Sequence, residues 1–227
     1  MSKNVYSVQV CNEMIRNPDL SSEAFLLFVK LKYDYECKHR NKNNEYNSDV
    51  HIFYHRNIME FLGWKDLRTF KKCLNELHMF GYIECLKDFL PKLNPLEIKI
   101  EKIEKNFTSL PHNLLYNIKS IGKYGFRLLY YYESFINRKI KQVHSYPSME
   151  KIYEHTRISD KTVKKYNDIL VKLKYLKIEK HELINGFVNE NGETTAKRFN
   201  NYYYVKLENI KNIKDNKADT VVCRSAH

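Results

Sequence analysis

Residues 148–176 of the chain read SMEKIYEHTRISDKTVKKYNDILVKLKYL, a stretch that predicts two helices joined by a tight turn. In the first helix, Ile152 and Tyr153 are expected to anchor the apolar side, and Ile158 is expected to fill the turn. Apolar residues then recur at intervals of three and four, which predicts a second helix with one buried face. These residues are Val163, Tyr166, Ile169, Leu170 and Leu173.

The start of this second helix is polar and basic. Ser159 or Asp160 is expected to be its N-cap, because the side-chain oxygen of either can accept an otherwise unpaired backbone amide. The residues expected to face away from the apolar side are Lys161, Thr162, Lys164 and Lys165. An apolar underside and a basic outer face are what a helix-turn-helix needs when its second helix enters the DNA major groove.

A second copy of this pattern lies earlier in the chain. TFKKCLNELHMFGYI at residues 69–83 aligns without gaps with TVKKYNDILVKLKYL at residues 162–176, an offset of 93. Further upstream, VQVCNEMI at residues 8–15 is similar to TSLPHNLL at residues 108–115, where the offset has grown to 100. Self-similarity of this kind predicts two copies of one module in tandem, with a longer loop in the first copy.

Each copy reads strand, helix, long helix, short strand, helix-turn-helix and strand pair, which is the element order of a winged helix. The predicted fold class is therefore mainly α with small β-wings (α+β), as two tandem winged helix-turn-helix domains. The expected domains are an N-terminal winged helix over residues 1–103, a C-terminal winged helix over residues 104–208, and a flexible tail over residues 209–227.

The wing of the second copy is expected to consist of strands over residues 176–183 and 202–207. Asn185-Gly186 and Asn191-Gly192 in the connection are typical turn formers. The same connection carries Lys197, Arg198 and Asn200, which suit contacts with phosphates or the minor groove. The alternative is an ordinary solvated loop.

The wing of the first copy is expected to be shorter. It carries Phe89, Leu90 and Leu93, which predict a surface that packs on another molecule or segment.

Charge and composition narrow the class of protein. The 227 residues carry a formal net charge of +12, which favours a polyanionic partner such as nucleic acid. The alternative is a basic soluble protein from an AT-biased genome. No apolar stretch approaches the roughly 20 residues needed to span a bilayer, and the N-terminus lacks an apolar signal core. We therefore expect a cytoplasmic, DNA-associated protein with no membrane partner.

The sequence offers little for catalysis or metal binding. The five cysteines form no CxxC pair, so neither a zinc ribbon nor a disulfide framework is expected. A Gly-x-x-x-x-Gly-Lys phosphate loop is absent from the sequence. His51 and His55 lack the spacing and the third ligand of a metal-dependent nicking site. We predict no enzyme activity, no cofactor and no metal.

Two tyrosine clusters, Tyr130–Tyr132 and Tyr202–Tyr204, have two interpretations. Alternate rings can fill a core with their hydroxyls at its rim. Exposed rings can instead stack on unpaired bases. The first interpretation is the preferred one.

The chain resembles winged-helix proteins of Gram-positive plasmids and phages, which include replication initiators and replisome-organiser proteins. The resemblance covers about 30 residues around each helix-turn-helix, together with two phrases upstream of the second. The phrases that carry it are FTSLPHNLL (107–115), KYGFRLLYYYESF (123–135), residues 148–176 as quoted above, and RNIMEFLGWKDLRTFKKCLNELHMFGYIE (56–84).

In such families the start of the second helix enters the major groove. The resemblance therefore implies DNA contacts by Ser159, Lys161, Thr162 and Lys165, and by Lys65, Arg68, Thr69 and Lys72 in the first copy. The full predicted DNA-binding set adds flanking residues and reads Arg157, Ser159, Lys161, Thr162, Lys164, Lys165, Lys197, Arg198, Asn200, Lys65, Arg68, Thr69, Lys71 and Lys72.

The first copy departs from the family pattern, with an extra residue in the turn and Trp64 in place of a small aliphatic residue. In tandem winged-helix initiators one module often dimerises while the other reads repeated sites. The departure fits a first copy that dimerises, and the resemblance thus implies a homodimer.

The leading functional hypothesis is a sequence-specific double-stranded DNA-binding protein. Its expected role is replication initiation on a plasmid or phage, by binding repeated origin sites and recruiting host replication proteins. A transcriptional regulator with the same architecture is the first alternative. An adaptor that uses its winged helices to hold protein partners of the replication machinery is the second.

Overall fold

Helices and three small sheets make up the fold in the computed structural model, which describes residues 6–40, 50–86, 95–100, 105–188 and 194–213. The side chains of residues 38–40, 183–188 and 194–198 are outside this description. The mixture of helices with small sheets confirms the coarse α+β fold class expected from the sequence.

The elements of the first half follow one another in a strand, two helices, a strand, two helices and two strands. Their bounds are β1 Ser7–Cys11, α1 Asn12–Ile15, α2 Ser22–Arg40, β2 Val50–Phe53, α3 His55–Leu62, α4 Leu67–Met79, β3 Ile83–Cys85 and β4 Leu96–Ile100.

The second half repeats much of this order. Its elements are β5 Phe107–Pro111, a 3₁₀ helix His112–Asn117, α5 Ile118–Glu133, a 3₁₀ turn Arg138–Ile140, α6 Met149–Thr156, α7 Asp160–Lys172, β6 Leu176–Val188, β7 Thr194–Val205 and α8 Leu207–Lys211.

The two helix pairs match in length. Helices α3 and α6 have 8 residues each, and α4 and α7 have 13 residues each. Helix α4 covers Leu67–Met79 and α7 covers Asp160–Lys172, an offset of 93 at both ends. The turn between the helices covers residues 63–66 in the first half and 157–159 in the second, which confirms the extra residue predicted there.

The sheets that follow the helix pairs are also alike. In the first half the strand order is β2-β4-β3, with all pairs antiparallel. In the second half β6 pairs with β7, and an isolated bridge from Ser145 to Tyr203 takes the place of β2. Both halves thus carry a strand pair with a third short segment at its side.

Strands β1 and β5 join the two halves in an antiparallel ladder. The middle pair is Gln9 with Ser109, and these two positions are 100 residues apart, the same offset that aligns the two upstream sequences. Each half therefore offers the same strand to the other, with the ladder centred on this pair. Such a self-complementary contact has local two-fold symmetry, like the isologous interface of a homodimer.

Helices α2 and α5 form the centre of the molecule. Ala24–Lys32 of α2 and Gly125–Glu133 of α5 are each buried at nine consecutive residues, on all sides of the helix. A helix that is buried all round lies in the core rather than on its surface. Phe25 and Phe126 meet across the contact with ring centroids 6.4 Å apart.

Arg127 is among the largest fully buried side chains of the described residues, and it links the halves. Its guanidinium donates hydrogen bonds to three main-chain oxygens of the α1–α2 connection, those of Leu20 at 2.5 Å, Asn17 at 2.7 Å and Ile15 at 3.3 Å. Burial lowers the pKa of Arg127 to about 10, so the group stays charged at neutral pH. The carbonyl dipoles therefore take the place of water at the two terminal nitrogens of this group, whereas its Nε has no hydrogen-bond partner among the described residues.

The tail expected from residue 209 onward is wrong for its first residues. Leu207–Lys211 form α8, and Ile210 is fully buried. The side-chain amide of Asn113 donates to the carbonyl oxygens of Lys211 at 3.1 Å and Ile213 at 2.9 Å. Leu207 and Ile213 also pack against the core, so three apolar side chains and these bonds dock this short helix. Residues 214–227 lie outside the described residues.

Two local predictions in the second half are wrong. Tyr153 does not anchor α6, because its side chain is 46% exposed, whereas Ile152 and Ile158 are buried as predicted. Asn185-Gly186 does not form a turn but lies inside β6, where the ladder register shifts between Leu183 and Phe187. The conformational freedom that suits Asn-Gly to a turn also suits it to a bulge. Asn191-Gly192 lies outside the described residues.

The core interpretation of the first tyrosine cluster is confirmed. Tyr130, Tyr131 and Tyr132 are all buried, and so is Tyr203 in the second cluster. Cys73 is buried as a small core residue of α4.

We predict that Arg127→Met lowers the free energy of unfolding by about 3–5 kcal/mol, because it removes the donor to the buried carbonyl oxygens of Leu20 and Ile15 and one of the two bonds to that of Asn17. Urea denaturation followed by circular dichroism measures this change. The matched control is Arg68→Met on the exposed side of α4, which should change stability by less than about 0.5 kcal/mol. Equal effects of the two substitutions would contradict the role given to Arg127.

Candidate nucleic-acid interface

Helix α7 is held on one side only. Val163, Asn167 and Leu170 are its buried residues, and they face α5. The hydroxyl of Tyr132 donates to the side-chain oxygen of Asn167 at 2.9 Å, in the buried contact between the two helices. One polar bond inside an apolar contact fixes both the position and the rotation of α7.

The opposite side of α7 carries a run of exposed cations. Lys161, Lys164 and Lys165 are exposed, and Thr162 is half-buried, as the sequence predicts. In the part of the chain that the structure describes, none of the three lysines is in an ion pair. Three ammonium groups within the first turns of one helix thus face solvent and give this surface a positive potential.

The turn before α7 is braced from within. The hydroxyl of Thr156 donates to the carbonyl oxygen of Ile152 at 2.6 Å and accepts the amide of Ile158 at 3.2 Å. Ile158 itself is buried. Because these bonds are buried and local, the turn sets the angle at which α7 leaves α6.

Arg157 ends α6 in a left-handed conformation, with φ 54°. The equivalent residue of the first half, Gly63, ends α3 with φ 69°. Glycine adopts this conformation without strain, whereas a side chain costs roughly 1 kcal/mol. The second half therefore holds a strained arginine where the first half has a relaxed glycine, and strain of this kind concentrates at functional sites.

The N-caps of the two second helices also differ. Asp66 accepts the amide of Arg68 at 2.8 Å, so α4 has a true side-chain cap. Ser159 is the N-cap residue of α7, but it caps no amide, and its hydroxyl pairs with that of Thr162 at 3.0 Å. The predicted capping bond is therefore wrong for α7. Its first turn instead presents a pair of hydroxyls next to the lysines.

The first half presents a similar basic surface on α4. Arg68, Lys71 and Lys72 are exposed at the positions equivalent to Lys161, Lys164 and Lys165, and Thr69 is half-buried like Thr162. Lys65 is exposed just before the helix. Trp64 in the turn is half-buried and packs against the core.

Only part of the predicted wing contacts can be located. Asn200 is half-buried on β7. The side chains of Lys197 and Arg198 lie outside the described side chains, and Phe89, Leu90 and Leu93 lie outside the described residues. The predicted roles of these five residues stay predictions.

Asn167 is the residue of this site that the sequence analysis did not identify. It lies at the position of Leu74 in the aligned first half, four residues after Val163 and three before Leu170. A polar residue at an apolar position of a repeat is the signal that could have pointed to a buried hydrogen bond.

The described residues show no sign of a metal site or a membrane span. Within the described residues, no group of three or more metal-ligating side chains is found. His51 is buried in β2, and His55 is the first residue of α3. Among the helices that the structure describes, none combines the length and the apolar composition needed to cross a membrane.

No protein-family model matches the chain, and no curated protein matches it.

We predict that exchanging the two helix-end residues moves stability in opposite directions. Arg157→Gly should stabilise the chain by about 1 kcal/mol, because it relieves the left-handed strain. Gly63→Arg should destabilise it by a similar amount through φ alone, since a Cβ at Gly63 meets nothing within 4 Å. Thermal denaturation measures both changes. A stabilising Gly63→Arg would contradict the strain argument.

Proposed function

We propose that the chain is a sequence-specific double-stranded DNA-binding protein built from two winged helices. The observation that carries the proposal is α7, a helix buried on one side with Lys161, Lys164 and Lys165 exposed on the other and in no ion pair with a described residue. The strand pair that follows it in each half supports the winged-helix interpretation. In such a module the second helix enters the major groove and the strand pair contacts the adjacent backbone.

Affinity and specificity come from different groups. The lysines of α7 contact phosphates and release condensed counterions, so binding falls steeply with salt. Such contacts position the helix but carry no sequence information. The hydroxyls of Ser159 and Thr162, which pair at the first turn, are proposed to read base edges. The strained Arg157 adds a cation at the corner where the chain enters the groove.

The local symmetry of the β1–β5 ladder has a consequence for the DNA site. Helices α4 and α7 belong to halves related by an approximate two-fold axis near Gln9 and Ser109. A two-fold axis in the protein matches a two-fold axis in the DNA. If both helices read bases, one chain binds two half-sites in inverted orientation, within a single recognition unit.

The proposed biological role is replication initiation on a plasmid or phage, with such units repeated along the origin. The first half is proposed to form a homodimer and to meet host replication proteins. Its β2 lies at the edge of the sheet and carries the exposed Ile52, followed by the exposed Tyr54. An edge strand with exposed apolar side chains suits self-association. The alternatives remain a transcriptional regulator and a protein-binding adaptor.

The number of bound sites separates initiation from transcription control. Footprinting along the DNA that flanks the coding gene is expected to protect an array of repeated units. Protection of one promoter site alone would favour the regulator. Absence of duplex binding would favour the adaptor.

We predict that the double variant Lys161→Glu, Lys165→Glu loses duplex binding by about 100-fold or more. The salt dependence of its residual binding should also be flatter, by roughly one unit of slope for each lost phosphate contact. Fluorescence anisotropy at several salt concentrations measures both quantities. The probe is a duplex fragment selected from a genomic library by its binding to the full chain.

Two matched variants sharpen this measurement. Arg68→Glu with Lys72→Glu changes the equivalent positions of α4. A loss of duplex affinity in this variant would indicate that the first half also contacts DNA. Lys119→Glu with Lys139→Glu changes two exposed lysines that belong to neither second helix and should cost much less. Equal losses in the α7 variant and this control would show a general charge effect and contradict α7 as the reader.

A further inference from the structure

The outer face of the second-half sheet carries a cluster of aromatic rings that duplex recognition by α7 does not use. Side chains alternate along a strand, so the burial of Tyr203 and Val205 turns Tyr202 and Tyr204 outward. The bridge from Ser145 to Tyr203 sets the flanking side chains beside them. We call this the ring surface, and it comprises His144, Tyr146, His181, Tyr202 and Tyr204.

Three of these rings form a continuous stack. The ring of Tyr202 lies 4.0 Å from that of His181 at an interplanar angle of 22°, and 4.4 Å from that of His144 at 9°. Two imidazoles this close and this parallel to one phenol occupy its opposite faces. His181 therefore ends the stack, with 46% of its side chain exposed. Tyr146, which is 59% exposed, lies beside the stack, with its ring centre 5.9 Å from that of Tyr202.

Cations border the ring surface. The ammonium groups of Lys177 and Lys206 lie 5.7 and 5.6 Å from the centre of the Tyr204 ring. One carboxylate, that of Glu179, is also present, and it is ion-paired with Lys177 and lies 3.5 Å from His181. Hydrogen bonds from Lys177 and Tyr204 lower the pKa of Glu179 to about 2. Its charge is therefore matched locally, and Lys206 remains as a cation at the edge.

The first half shows that the fold does not require these rings. In its sheet, His51 pairs with Ile98 as Ser145 pairs with Tyr203. The outward neighbours of Ile98 are Glu97 and Lys99, at the positions of Tyr202 and Tyr204. Lys99 lies 3.4 Å from Glu84, so this face is held by an ordinary surface ion pair. Among the described residues, these rings are thus found on the second-half sheet and not at the equivalent positions of the first.

We propose that the ring surface binds single-stranded DNA. Unpaired bases continue the stack at His181 and pack on Tyr146, and the backbone phosphates contact Lys206. Flat aromatic faces bordered by cations are the features that bind unpaired bases without sequence preference. A duplex cannot use them, because both faces of each base are covered by its neighbours.

This inference rests on the proposed function in one respect, which is the source of the strand. A protein that holds duplex DNA through α7 has an opened strand close by when the duplex melts. The ring surface lies on β6 and β7, which follow α7 directly in the chain. Capture of one strand there would keep a melted segment from reannealing.

The test uses the full chain with three labelled probes of equal length. They are oligo(dT), oligo(rU) and the duplex selected by its binding to the chain. Tyr146→Ala with His181→Ala removes two exposed rings without opening the core. It is expected to weaken oligo(dT) binding at least 10-fold and to leave duplex binding within about two-fold. Lys161→Glu with Lys165→Glu is expected to do the reverse. The matched control, Glu84→Ala with Lys99→Ala, removes the ion pair on the equivalent face of the first half and should affect neither probe.

A second readout locates the contact. Oligo(dT) in which 5-bromouracil replaces some thymines should crosslink on irradiation to peptides that contain Tyr146 or His181, as identified by mass spectrometry. Crosslinks to the first-half sheet instead would overturn the assignment.

The remaining outcomes are also decisive. Duplex binding without measurable oligo(dT) binding would overturn the ring-surface proposal and leave the proposed function standing. Oligo(dT) binding that depends on the rings, without any duplex binding, would overturn the proposed function and support the ring surface. Tighter binding of oligo(rU) than of oligo(dT) would overturn the choice of DNA as the ligand.

Discussion

The buried guanidinium of Arg127 is the interaction on which the arrangement of the two halves depends. It lies in the centre of the molecule and donates to three carbonyl oxygens of the opposite half. A charge buried in this way is tolerated only where fixed dipoles replace its water, so neither the arginine nor the α1–α2 connection can move independently. The β1–β5 ladder and the α2–α5 contact lie around this bond and share its approximate two-fold symmetry. Together they fix the direction in which α4 and α7 face.

The two halves differ where local stability and surface chemistry compete. Helix α4 has an aspartate cap and α3 ends in a glycine, both of which lower the free energy of the folded state. The corresponding places in the second half hold Ser159, whose hydroxyl pairs with Thr162, and Arg157 in a left-handed conformation. The second half thus keeps polar and cationic groups at a stability cost. Loss of stability in exchange for surface groups is common at functional sites, which is why we propose that this half makes the stronger DNA contacts.

The parts of the structure that depend on local pattern could be predicted from the sequence. Helices α7 and α4 were predicted from the apolar spacing of residues 163–173 and from its repeat 93 residues earlier. This was possible because an amphipathic helix shows its buried face as apolar residues at intervals of three and four. The features that depend on distant partners could not. Arg127 reads as one polar residue in an apolar helix, and only the folded chain brings the carbonyl oxygens to it. The burial of Ile210 in α8 also depends on residues distant in the chain. In α6, Ile152 is buried but its neighbour Tyr153 is exposed, so the buried face is narrower than the sequence indicates. Of the candidate site, the exposed cations were predictable, whereas Asn167 and the helix-end strain at Arg157 needed the structure.

The claim that the chain reads duplex DNA through two related helices is tested most directly by selection of bound fragments from a genomic library, using the full chain. Two winged helices related by a two-fold axis predict that the retained fragments share one motif with inverted halves, and that this motif recurs several times in at least one fragment. Retained fragments with no shared motif, or with no enrichment over the input library, would contradict it.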